Sequence, residues 1–202
     1  MKRISNLITS ESATTMTDPP IARFLFSDTR VAWLLLPLRV WLGWDWLTAG
    51  WGKVQNPAWM ESGAALKGFW ERGLVVDPRP VIAIDWYRDF IQLMLNAEAY
   101  TWFAKLVALG EVAIGVALIV GAFTGIAAFM GGFMNWNFIM AGTASTNALL
   151  FAIATWLVLA WKTAGWIGLD RYLLAALGTP WRPGYVVGHL KDTAEHGFRR
   201  VA

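Results

Sequence analysis

Arg39, Asp45, Lys53, Lys105 and Glu111 stand in stretches of sequence that are otherwise apolar enough for membrane helices. Ionisable groups at membrane depth are costly and persist where they pair, line a wet cavity or move protons. Glu111 lies some ~13 Å from the outer end of its helix, within about one turn of Arg39 in depth, so the two are expected to pair. Such a pair is either structural or a carboxylate that takes and releases protons at a redox site. Asp45 and Lys105 lie nearer the outer surface. They form a second pair or, with Lys53 and Arg88, an outward-facing anion site.

The stretch Arg39 to Lys53, RVWLGWDWLTAGWGK, also carries Trp41, Trp44, Trp46 and Trp51. On a helix Arg39, Gly43, Trp46, Gly50 and Lys53 share one face, and Asp45 lies off it. That face is cationic, aromatic and lined by glycines that admit a neighbouring backbone or a flat ligand. The plainer alternative is that Arg39 and Lys53 snorkel to the two membrane surfaces. Asn135 and Asn137 are two residues apart and point to nearly opposite faces, so at least one must meet a neighbouring helix or a cavity.

Four spans can position these residues: Val31 to Trp51, Trp102 to Phe123, Thr124 to Ala141, and Asn147 to Leu169. Each reaches or approaches the ~20 residues that cross a bilayer. Gly121 to Gly125 joins the second and third as a tight hairpin. GTASTN joins the third and fourth, with Ser145 and Thr146 as expected helix caps. Residues 52–101 form the one sizeable connection, where Ala64 to Trp70 and Ile82 to Leu95 read as short amphipathic helices on the membrane surface. The fold class is thus all-α: a four-transmembrane-helix bundle over residues 31–181, with a cytoplasmic tail at 1–30 and another at 182–202. Basic residues are denser in the tails than in the loop, which places both termini in the cytoplasm of an inner-membrane protein.

The composition agrees. The 202 residues are 56% hydrophobic and 15% charged, and the mean hydropathy is +0.44, a balance that one soluble core of this size could not hide. The net charge of +3 comes from scattered basic residues and indicates no nucleic-acid surface. The absence of cysteine removes thiolate metal, Fe–S and disulfide chemistry. His189 and His196 both fall in the C-terminal tail, so no haem held by histidines inside the membrane, and no metal, is expected. Residues 1–22 are Ser/Thr-rich without an apolar core, which reads as a disordered tail before an uncleaved first helix. Many of the 14 tryptophans are expected as interfacial anchors.

With these residues in place the chain resembles the DoxX family, and within it the DoxD-like large subunits of thiosulfate:quinone oxidoreductase. The likeness lies in Arg39, Gly43, Gly50 and Lys53, in NPAWM at 56–60 and WYRDFI at 86–91. It continues through Gly110 to Asn147, AWKTAGWIGLDRYLL from Ala160, and GTPW at 178–181. One departure is Ala175 where the family pattern has proline, which should loosen the turn into the tail. The resemblance implies a four-helix membrane bundle, oxidation of thiosulfate to tetrathionate with a membrane quinone as acceptor, and a small DoxA-like partner subunit.

Two functions follow. In the first, Trp44, Trp46, Trp51 and Asn135 hold a quinone ring, Arg39 and Glu111 hydrogen-bond or protonate it, and Lys53, Arg88 and Lys105 bind the oxyanion. In the second, the chain is a non-catalytic membrane subunit or anchor that positions a redox enzyme or stabilises a larger complex, and its polar residues are structural.

Overall fold

The computed structural model describes residues 18–178, and among them every regular element is helical. In chain order these are α1 (Pro20–Ser27), a 3-10 turn (Thr29–Val31), α2 (Ala32–Val54), α3 (Pro57–Met60), α4 (Ala64–Gly73) and α5 (Asp85–Asn96). They continue with α6 (Tyr100–Val120), α7 (Thr124–Met140), α8 (Asn147–Leu159), α9 (Trp161–Ala164) and α10 (Asp170–Leu177). One of them, α6, is both long and apolar enough to cross a membrane, with 21 residues and a mean hydropathy of 2.2. Helix α2 has the length, 23 residues, but carries the three ionisable side chains.

Helix α2 packs along α6, and α7 along α8; the two pairs meet where α7 touches α6 and α8 touches α2. Glycine sets the closeness of the first pair. A Cβ at Gly50 would lie 2.7 Å from the Val112 nitrogen, and one at Gly115 would lie 2.5 Å from that of Leu47. The face running from Arg39 through Gly43, Trp46 and Gly50 is accordingly buried. Leu35, Leu42, Leu118, Ala128, Ala154 and Leu157 fill the space between the pairs. A second cluster, with Leu66, Trp70, Tyr87, Ile91 and Ala104, ties α4 and α5 to the first turns of α6.

The outer faces tell the opposite story. Leu106, Leu109, Ile126, Phe129, Phe133 and Leu149 are each at least half exposed, apolar side chains of the kind that lipid or a partner covers.

Several expectations change. Residues 20–27, expected within a flexible tail, form α1, whose Phe26 packs on the main core. The expected last span does not run to Leu169. It stops at Leu159, followed by the single turn α9 and the open segment 165–169. Gly165 and Gly168 lie there under the Asp170 carboxylate and the Arg39 guanidinium, so no side chain could occupy either position. Neither Ser145 nor Thr146 caps α8. The turn is held instead by the Thr143 hydroxyl donating to the Phe138 carbonyl (2.6 Å) and the Asn147 amide donating to the Thr143 carbonyl (2.7 Å). Ala175 sits inside α10, which ends at Gly178 with φ 76°. His189, His196 and the tail 182–202 lie outside the described residues.

Candidate functional site

The expected Arg39–Glu111 pair does not form. Lys53 takes the carboxylate instead, its Nζ donating to Glu111 Oε2 at 2.6 Å, with the Glu111 side chain 1% exposed. Register explains the exchange. Gly43 packs against Gly115 and Leu118, and Gly50 against Glu111 and Val112, so Lys53 in the last turn of α2 reaches Glu111 while Arg39 sits at Gly121. Arg39 and Glu111 are thus separated by about ten residues of α6, ~15 Å in height. Counting Glu111 inward from the start of α6 and Arg39 inward from the start of α2 missed this because the first two turns of α6 project beyond the end of α2 and pack on α4, where Trp70 meets Phe103 at 6.0 Å between ring centres.

Arg39 performs a different task. Its guanidinium donates to the carbonyls of Ala164 (3.1 Å) and Ile167 (2.8 Å), groups left without helical partners where the chain breaks after α9. Asp170 completes this end. Its carboxylate accepts the N–H groups of Phe123 (2.5 Å) and Thr124 (2.8 Å), the free donors at the start of α7. Asp170 also acts electrostatically on Arg39. Sequence reasoning passed over it, although an acid in the run AGWIGLD just after two glycines was its signal.

A cavity of about 730 Å³ opens at the other end, between α2, α3, α4, α6 and α7 and the turn into α8. Glu111, Asn135 and Trp46 belong to its buried lining, and Lys53, Asp45, Trp41, Trp59, Phe69 and Phe138 also line it. Exposed Arg72, Thr143 and Thr146 mark its mouth. Asn135 is 0% exposed, and neither its Oδ1 nor its Nδ2 has a partner; Trp46 Nε1 is likewise unpartnered. Such orphans are rare in folded proteins because each costs about 1–3 kcal/mol. Trp46 lies nearly parallel to Phe138, ring centres 6.5 Å apart at 29°. Lys53 stands over the Trp59 ring at 5.2 Å. Asp45 has no ion-pair partner among the described residues.

Of the expected site residues, the cavity brings together Glu111, Trp46, Asn135 and Lys53. Arg39 lies at the opposite end. Trp44 (59% exposed) and Trp51 (55%) face outward, one residue-step off the buried face of α2. Arg88 is held by Asp85 (2.5 Å) and the Ile82 carbonyl (3.2 Å), away from the cavity, and Lys105 is exposed on α6. The expected Asp45–Lys105 pair is also absent. Arg72 was missed, although Ala65, Phe69 and Arg72 at i, i+4 and i+7 mark the face of α4 that lines the cavity. The two asparagines divide as their spacing demands. Asn135 faces the cavity, while Asn137 accepts from the Tyr87 hydroxyl at 3.1 Å and anchors α5.

The residues fit a flat ring bearing carbonyl oxygens. Trp46 and Asn135 offer free N–H donors at the lining, aromatic faces flank them, and the volume lies within the ~300–1,000 Å³ of ligand pockets. Compared with known proteins, the sequence matches the DoxX family over residues 34–161. No curated protein and no solved structure matches the chain.

Proposed function

The chain belongs to the DoxX family, and from that premise we propose a multi-pass inner-membrane protein that binds a quinone ring in the cavity beside Glu111 and serves a quinone-linked oxidation. In this reading α2, α6, α7 and α8 form the four-span bundle, residues 31–181 are the membrane domain, both termini are cytoplasmic, and α3 to α5 lie on the outer surface. The exposed apolar faces of α6 and α7 support it, as do the charges of α2, which turn into the protein or toward its end. The observation that carries the binding assignment is Asn135, fully buried with both polar atoms unpaired and lining the cavity.

Asn135 Nδ2 and Trp46 Nε1 donate to ring oxygens, and the parallel faces of Trp46 and Phe138 orient the ring. Glu111 holds or releases a proton at Oε2, with Lys53 compensating its charge. A bound quinone supplies the acceptor chemistry, taking two protons and the two electrons released when two thiosulfates join through a new S–S bond to give tetrathionate. Arg72 at the mouth is the cation placed to meet the thiosulfate, in the role expected of Arg88 and Lys105. Thiosulfate and a DoxA-like partner rest on the likeness to DoxD-like members.

The test is purification in detergent, organic extraction, and an assay with thiosulfate and decylquinone with and without a small partner subunit. Retained quinone and thiosulfate-dependent quinol formation are expected. No retained quinone together with no quinol under either condition overturns the reading and leaves the chain as a non-catalytic membrane anchor.

A further inference from the structure

A second cavity, of about 320 Å³, adjoins the first and differs from it in chemistry. Phe69 and Phe138 line both, edge to face with ring centres 6.2 Å apart at 88°, so this pair forms the partition. Beyond it the walls are Leu66, Trp70, Ile91, Met94, Phe103 and Val107. The polar groups there are already satisfied: the Tyr87 hydroxyl donates to Asn137 Oδ1 at 3.1 Å, and Asn137 Nδ2 donates to the Phe133 carbonyl at 2.8 Å. Nothing in this chamber therefore asks for a hydrogen bond, whereas the first leaves donors and an acceptor unpaired. Phe90 and Phe133, 44% and 50% exposed, carry the apolar wall out to the surface between α5 and α7.

A polar chamber joined through two aromatic rings to a largely apolar one with no unpaired polar group, itself leading to the protein surface, is complementary to an amphiphile with a polar ring and a hydrocarbon tail. We infer that the second cavity seats the tail of the ligand whose ring occupies the first, with Phe69 and Phe138 closing around the link between them. The inference rests on the ring assignment proposed above and adds the place of the tail, in the apolar chamber behind Phe69 and Phe138. Apolar burial then supplies affinity, and the orphaned amide supplies orientation.

The experiment is quenching of tryptophan fluorescence in the full-length detergent-solubilised protein, titrated with decylquinone and with the same benzoquinone ring lacking a tail. The parent protein should bind the tailed compound at least tenfold more tightly. Met94→Trp, on a surface helix at the wall of the second cavity, should remove that advantage and leave the tail-less compound unchanged. Since a tail also partitions into micelles, the parent-to-Met94→Trp comparison decides. If both proteins prefer the tailed compound by the same factor, or neither shows a preference, the tail assignment is overturned while the ring reading stands. If neither compound quenches the parent, the ring reading fails and the tail assignment with it.

Discussion

Asn135 keeps two polar atoms unpaired at a position where leucine would occupy similar volume. Its burial costs about 1–3 kcal/mol that no contact within the chain returns. Asn135→Leu should therefore raise thermal stability in detergent by about 1 kcal/mol and abolish quinone retention, read by thermal unfolding and by extraction. A lowered melting temperature would show that the amide is used within the fold. Lys53 and Glu111 behave oppositely. Lys53→Met leaves the buried Glu111 carboxylate without its partner, at about 3–5 kcal/mol, Glu111→Gln should cost less because Lys53 is 21% exposed, and the double variant should lose less than the sum of the two. Arg39→Gln combined with Glu111→Gln should instead be additive, because the guanidinium serves the carbonyls of Ala164 and Ile167. The cavity residues Trp46, Asn135, Lys53 and Glu111 were legible as polar or aromatic exceptions on helical faces. Their partners were not, because pairing depends on the axial offset of two helices, which neither sequence contains alone.

At the scale of elements, glycine position decides what side chains cannot. Gly50→Ala forces a Cβ against the α6 backbone and should cost about 1–3 kcal/mol. Gly110→Ala, on the same helix pair with nothing within 4 Å, should be neutral or stabilise by up to about 1 kcal/mol. Thermal unfolding of both variants separates close approach from simple helix propensity. The docking of α5 carries a pH signature. Burial pushes the Tyr87 hydroxyl up from 10.0 to about 12. A group whose folded pKa is raised contributes stability that is complete below pH 10.0 and declines as pH rises toward 12. Phenolate absorbance should show one tyrosine titrating late, and Tyr87→Phe should remove that phase. Helices α4 and α5 were legible from apolar spacing close to their observed bounds. The end of α8 was not: Leu159 to Leu169 is apolar but for Lys162 and Thr163, and the break depends on Arg39, distant in sequence, taking the freed carbonyls.

For the whole molecule, the apolar belt on α6 and α7 and the buried charges describe one solvent arrangement, oil outside and polar groups within. The protein should stay with membranes through an alkaline carbonate wash, followed by immunoblot of pellet and supernatant; release into the supernatant would contradict spanning. The polar cavity and the Arg39 knot occupy opposite ends of this body. The knot has an order in time. Arg39 and its two carbonyls are 125 and 128 residues apart, and at ~5–20 residues per second the ribosome takes roughly 6–25 s to deliver them. For that interval α2 carries a guanidinium without its two carbonyls, so a chain arrested before Ala164 should be degraded faster than one arrested after Ile167, read by pulse-chase.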